Sequence, residues 1–454
     1  MEANHSVVQE VGTPAFRMVR PHIETNRLFC GVMFLLVATT FLNQSVLSIH
    51  FGFFSLFLYR LILISATALF VVSVVKEKNL AQFWNQIKVK EVLHFLLFWL
   101  VYGIVSLLWA KSYVEGIKYL FLLVTGILFV FLAVFTFTKI SRLLVFYGIW
   151  LFMTIFLLCI GLVNHFTHIQ LPSSSLYGGP EYKLSYPTAV FFNQNDFATF
   201  LTISFSFYVA AAKNSRNVWI KTSTILLGLL CVYIIYLTES RASLLGIFAG
   251  LLFYLFIHLP SFLKKVTITI GLVAMALCSL ILFDKVSNMF AANDVHSSNV
   301  VRLNLLKSAF HYLLDSFGFG VGAGNISYYL KNESIYDTNH VVEVHNWLVE
   351  ILGNFGIFVF LGYLITYVYL FYCLYKAFRK TKDWKEKGII EACMIGQIAF
   401  LISSISPSSV SNLYFHWVFL GFVIATLNVY KNKNRKIKGE TKLRSTLRNG
   451  INRK

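Results

Sequence analysis

Residues 117 to 138 read IKYLFLLVTGILFVFLAVFTFT, with Lys118 the single charge. As a helix at about 1.5 Å per residue, this run is long enough to cross a hydrocarbon core of roughly 30 Å. Working outward, comparable runs recur near 28 to 49, 51 to 75, 92 to 109, 143 to 163, 197 to 212 and 218 to 237. Others lie near 242 to 259, 266 to 283, 346 to 375, 389 to 405 and 412 to 430, and Asn43 and Gln44 mark a tight hairpin between the first two. The expected fold is all-α: one polytopic membrane domain, residues 1 to 454, with about 12 transmembrane helices and no room for a second, soluble domain.

Composition agrees. The chain is 57% hydrophobic and 13% charged, which leaves too few polar side chains to wet the surface of a soluble protein of 454 residues. The net charge of +19 does not point to nucleic acid, because the basic residues cluster in short loops between apolar runs. That clustering orients the chain. With the amino terminus in the cytoplasm, about 30 of the 39 Lys and Arg fall on the inner side. Residues 1 to 27 are then a cytoplasmic segment ahead of an uncleaved first span. The basic tail 431 to 454 is cytoplasmic too, a solvated extension attracted to anionic membrane lipids. All six cysteines lie in apolar runs and read as small hydrophobes.

Two external segments exceed connector length, 164 to 196 and the larger 284 to 345. In the second, Ser298 or Asn299 can cap a short helix with Leu303, Leu306, Phe310, Leu313 and Phe317 at helical spacing, lying over the bundle. Most of the unusual polar residues sit in or beside these segments.

Arg241, in TESRASLLG, stands at the external interface, where it suits a lipid phosphate or snorkels to fix depth. Arg302 shares a helix face with Leu305, Leu306 and Ala309, so its guanidinium needs an anion, either a ligand or an acid such as Asp294. His345 opens the tenth run, where the helix dipole favours neutral imidazole, a base for a hydroxyl or a capping group. Glu350 shares a face with Asn346 and Trp347 and either orients substrate or pairs with a buried polar group. Asn195, within the NQND run 193 to 196, suits sugar hydroxyls as well as helix capping. Arg60 lies mid-run and contacts phosphate or sugar, or snorkels. The glycines of FGFGVGAGN, 317 to 325, lack the strand and lysine of a phosphate loop and read as a tight turn. His165 with His168, and His340 with His345, lack a third ligand, so no metal site is expected.

The ordered set SRASLLG, VRLNLLKSAF, FGFGVGAGN and HNWLVEILGNFGIFVFLGYL resembles the O-antigen ligase and polymerase superfamily of bacterial envelopes. The resemblance covers about residues 190 to 375. It implies a glycosyltransferase of the cytoplasmic membrane, with glycan transferred on the outer face from an undecaprenyl-diphosphate-linked saccharide to a glycan or lipid acceptor. Neither cofactor nor metal is implied. By the same resemblance Arg241 and Arg302 bind the diphosphate and His345 activates or orients the acceptor hydroxyl. Asn195, Asn346, Glu350 and Arg60 are then substrate-binding candidates, and a chain-length regulator or a flippase is a candidate partner. The rival class is a flippase or transporter for lipid-linked oligosaccharide, but no internal repeat between the halves supports it.

Overall fold

The computed structural model describes residues 27–42, 48–51, 54–77, 80–270 and 298–451. Helix α1 (Arg27–Thr40) leads to antiparallel strands β1 (Ile49–Phe51) and β2 (Phe54–Leu56), paired Ile49 to Leu56 and Phe51 to Phe54. Then come α2 (Leu58–Glu77), α3 (Leu80–Gln86), α4 (Lys90–Val105), α5 (Tyr113–Thr136) and α6 (Ile140–Thr167). The short α7 (Glu181–Leu184) precedes α8 (Gln194–Asn214), α9 (Val218–Leu237) and α10 (Arg241–His258). The carboxy-terminal part holds α11 (Ser298–Asp315), α12 (Asn325–Asn332), α13 (Trp347–Lys380), α14 (Trp384–Ser403) and α15 (Tyr414–Ile451).

The all-α class is borne out apart from the one hairpin, and the chain is a membrane protein. Among the described residues, seven helices are long and apolar enough to cross a bilayer: α2, α4, α5, α6, α9, α10 and α13. The first expected run yields a helix of only 14 residues, and the proposed turn at Asn43 and Gln44 lies outside the described residues. So does residue Asp294, along with most of the ninth expected run. The second run opens as strand rather than helix, where the β-branched Ile49 and the aromatics Phe51 and Phe54 favour a pleated backbone over a helical one.

Helices α8, α14 and α15 form the centre of the bundle, which explains why they are less apolar than the seven. Thr199, Ser204, Ser206, Gln397, Ser403, His416 and Asn428 are all buried on them. A helix ringed by other helices meets no lipid, so polar side chains are tolerated where neighbours accept or donate their hydrogen bonds, as at Thr199, Ser204, Ser206 and Ser403, while the side chains of Gln397 and His416 find no such partner among the described residues. Trp150 Nε1 on α6, for example, donates to Ser204 Oγ at 2.9 Å. The same tryptophan stacks on Phe207 at 4.9 Å, and Trp99 packs against Trp347, Phe355 and Trp417 at 5.7 to 6.0 Å. Each such pair adds about 0.5–1.5 kcal/mol beyond its buried area.

The bundle has two chemically distinct ends. One carries Lys213, His258 and the fully buried Glu391, together with Lys431, whose Nζ donates to Tyr369 Oη at 2.7 Å. The other carries the first turns of α8, α10 and α13 and the turn between α14 and α15. There Asn193 caps α8, its Oδ1 accepting from the Asn195 and Asp196 amides at 2.8 and 2.9 Å. The capping reading of the NQND run is therefore met by Asn193, which frees the side chain of Asn195 for another partner.

Helix α11 forms where its spacing predicts, and Leu313 is buried as expected, but the buried stripe is otherwise Val301, Leu305, Ala309 and Tyr312. Phe310 and Phe317, expected on the packed face, are 52% and 91% exposed. The stripe is rotated because α11 packs on α13, and the chain leaves the helix before Phe317, which takes a φ of 51°. Arg302 keeps its expected place beside Leu305 and Ala309, half-buried at the edge of that stripe.

The glycine run is a structural strap. Gly318, Gly320, Gly322 and Gly324 have φ of 80°, 80°, 97° and 66°, conformations that disfavour any side chain. Its backbone lies against a break in α13 at Gly356, where φ is 73°. Val321 and Gly322 amides donate to the carbonyls of Gly353 and Asn354 at 2.9 and 3.0 Å, and the Ile357 amide donates to Gly318 at 2.9 Å. The strap thus takes up carbonyls and an amide that the broken helix leaves open.

Candidate active site

Three chain segments converge on Ser406 in the α14–α15 turn. Ser406 Oγ donates to Asn195 Oδ1 of α8 at 2.9 Å and lies 3.2 Å from Ser240 Oγ, the residue before α10. Ser240 in turn donates to Ser243 Oγ at 3.0 Å, and Ser240 and Ser406 are each 2% exposed. The Ser406 carbonyl faces His345 Nδ1 at 3.3 Å, and the Ser404 carbonyl accepts the Trp347 amide at 3.1 Å. One buried turn therefore fixes the entry of α10, and with it Arg241, relative to Asn195 and His345.

Arg241 is exposed in the first turn of α10, where the amide ends of the helix already favour an anion. Burial holds Arg302 below the usual arginine range, and the nearby charge of Arg241 lowers it further. The two guanidinium groups are near enough for the charge of one to act on the other. Among the described residues no carboxylate forms an ion pair with either. A ligand bearing two or more negative charges relieves that repulsion, and the bidentate fork of arginine matches phosphate oxygens.

His345 sits with φ of 53° just before α13. Burial lowers its basicity and the charge of Arg302 adds to that, while the carbonyl of Ser406 opposes both. With Nδ1 facing that carbonyl, the neutral ring carries its proton on Nδ1 and leaves the Nε2 lone pair available. Arg241 acts electrostatically on Arg302, and Arg302 on His345.

The remaining candidates have structural partners. Asn346 Oδ1 caps α13, accepting from the Val349 amide at 3.2 Å. Glu350 is 5% exposed, and its Oε1 accepts from Tyr119 Oη at 3.0 Å and Ser409 Oγ at 2.7 Å. Its Oε2 accepts from the Val410 amide at 3.3 Å, so this carboxyl clamps the α14–α15 turn from below. Arg60 is 7% exposed and occupied elsewhere: it donates to Tyr414 Oη at 2.8 and 3.2 Å and to the Ser55 carbonyl. Its guanidinium lies 4.7 Å from the Phe57 and Phe121 rings, tying the hairpin to the start of α15 rather than joining the His345 group. His165 faces the Ser185 carbonyl at 2.8 Å.

Sequence reasoning missed the roles of Ser240 and Ser406, and it took Asp196 only as one member of the NQND run. Asp196 is 6% exposed at the start of α8. The available signal was the segment SISPSSVS, 404 to 411, where Pro407 and five serines interrupt two apolar runs. Such a segment needs partners for its backbone groups wherever it is buried.

The family model described as O-Antigen ligase matches residues 225–364, a window that holds Arg241, Arg302, the glycine strap and His345. The chain is also 52% identical over 420 residues to the Teichuronic acid biosynthesis protein TuaE of Bacillus subtilis (strain 168). That alignment spans 90% of this chain and 86% of the relative. On both grounds, and with the family's ordered motifs gathered at one end of the bundle, the chain belongs to the O-antigen ligase family.

Proposed function

We propose that the protein is a membrane glycosyltransferase that transfers or polymerises glycan from a polyprenyl-diphosphate carrier in bacterial cell-surface polysaccharide biosynthesis. In this reading about twelve helices cross the membrane, α8, α14 and α15 among them, and the His345 end faces outward, as the positive-inside rule requires. The observation that carries it is the close pair Arg241 and Arg302 beside a neutral His345.

The reaction follows from that arrangement. The acceptor hydroxyl oxygen attacks the anomeric carbon and passes its proton to His345 Nε2. The bond from that carbon to the carrier diphosphate breaks, its electron pair leaves with the phosphate oxygen, and the two guanidinium groups stabilise the developing charge. Direct displacement inverts the anomeric centre. Asn195, Asn346 and Glu350 hold the walls of the site through their hydrogen bonds, while Arg60 braces the hairpin against α15. The name of the Bacillus subtilis relative places that protein in teichuronic acid biosynthesis. The similarity favours polymerisation or attachment of a glycan of that kind here.

Purified protein given a polyprenyl-diphosphate-linked saccharide and acceptor is expected to form new glycosidic bonds. Arg241→Ala and Arg302→Ala should each lower that rate by about 100-fold or more while the protein stays monodisperse. Turnover unchanged in both variants would overturn the site assignment.

A further inference from the structure

We propose that the groove between α8, α9 and α10, at the end of the bundle opposite His345, is a binding site for an anionic glycerophospholipid. The groove encloses about 480 Å³ and is lined by Phe205, Tyr208 and Lys213 of α8, Lys221 and Gly228 of α9, and Tyr254 of α10. That volume falls in the range of about 300–1,000 Å³ usual for ligand sites. Gly228 makes room: a Cβ there would meet Tyr208 Cβ at 3.5 Å, so any larger side chain occupies the slot itself. Leu229, on the rim, is 60% exposed, which opens the groove sideways to the hydrocarbon.

Charge selects the occupant. Lys213 ends α8 and Lys221 opens α9, with Arg216 in the turn between them. The Lys213 ammonium is held by Glu391 Oε1 at 2.7 Å and lies 5.3 Å from the Tyr254 ring, yet its side chain is still 30% exposed. Glu391 offsets Lys213, so Lys221 leaves the mouth of the groove positive, while Arg216 in the turn lies over the Trp384 ring at 5.6 Å. A basic mouth over an apolar slot fits a molecule with an anionic head and acyl chains, the pattern of lipid sites between membrane helices. Free phosphate would leave the apolar lining unused, and a neutral isoprenoid chain would gain nothing from the cations.

This inference does not rest on the proposed transfer reaction, and its test measures no glycan. Detergent-solubilised full-length protein is incubated with phosphatidylglycerol or with phosphatidylcholine of the same chains, and retained lipid is counted by native mass spectrometry. The expected result is retention of phosphatidylglycerol over phosphatidylcholine. Lys221→Gln should lower retention about fivefold, the equivalent of about 1 kcal/mol for one lysine at an anionic surface. Gly228→Leu and Leu229→Trp, which fill the slot without changing charge, should lower it at least as much. Because Leu229→Trp adds bulk at an exposed position, it keeps the test sound where Gly228→Leu disturbs folding. Equal retention of the two lipids, or undiminished retention in Leu229→Trp, would overturn the proposal by reducing the effect to diffuse attraction.

Discussion

At His345 two neighbours pull in opposite directions. Burial and Arg302 depress its basicity, while the Ser406 carbonyl supports the protonated ring, and the depression wins. The ring therefore stays neutral to lower pH than a free imidazole, whose pKa is about 6.5. A base is active when neutral, so kcat/KM should hold through neutral pH and fall only as pH drops through this lowered value. His345→Ala should reduce the rate by about 100-fold or more and remove that acid limb. An acid limb above pH of about 6.5, or one that survives in the variant, would rule out His345 as the base. Arg241, Arg302 and His345 stood out in the sequence as candidates because each stands in a motif, Arg241 and His345 at the edge of an apolar run and Arg302 in the long external segment. Ser406 was not, since a serine between two runs looks like any turn residue until His345 and Asn195 are seen to share it. The two readings of Glu350, substrate contact and buried pairing, became distinguishable only when Tyr119, Ser409 and Val410 were found around it.

The glycine strap and α13 are one device at the scale of elements. A helix broken at Gly356 exposes backbone groups inside the protein, and the strap is the segment that satisfies them. A Cβ at Gly320 would stand 2.4 Å from the Gly356 amide nitrogen, with backbone on the far side and a positive φ to strain it further. Gly320→Ala should therefore destabilise the protein by more than about 2 kcal/mol, read as loss of folded protein on heating in detergent. Gly148→Ala, in open space on α6, is the control and should leave stability within about 0.5 kcal/mol. Unchanged stability in Gly320→Ala would show that the strap does not bear on the break. The sequence marked the run as a tight turn, but its partner was invisible, because pairing across more than thirty residues leaves no local period. The stripe of α11 was misplaced for a related reason. Its spacing allows two adjacent apolar faces, and only contact with α13 selects between them.

For the whole molecule, apolar runs revealed class and approximate layout, while the centre departed from the rule that reads them. Helices α8, α14 and α15 carry buried hydroxyls, amides and a histidine that lipid would exclude, whereas six of the seven most apolar helices are less than half buried and α5 alone among them is largely enclosed. The result is a largely apolar bundle with polar side chains at its centre, a basic end, and an opposite end that carries Arg241, Arg302 and His345. The account's central claim is that this second end performs glycan transfer rather than passage of the carrier through the bundle. The direct measurement uses sealed liposomes containing the protein, a polyprenyl-diphosphate-linked saccharide and its acceptor. It counts carrier diphosphate released per new glycosidic bond and, in parallel, carrier that changes leaflet with its glycan attached. The account predicts one carrier diphosphate for each bond, with both falling by about 100-fold or more in an Arg241→Gln, Arg302→Gln double variant. Carrier crossing the bilayer with its glycan attached, and no diphosphate released, would contradict it.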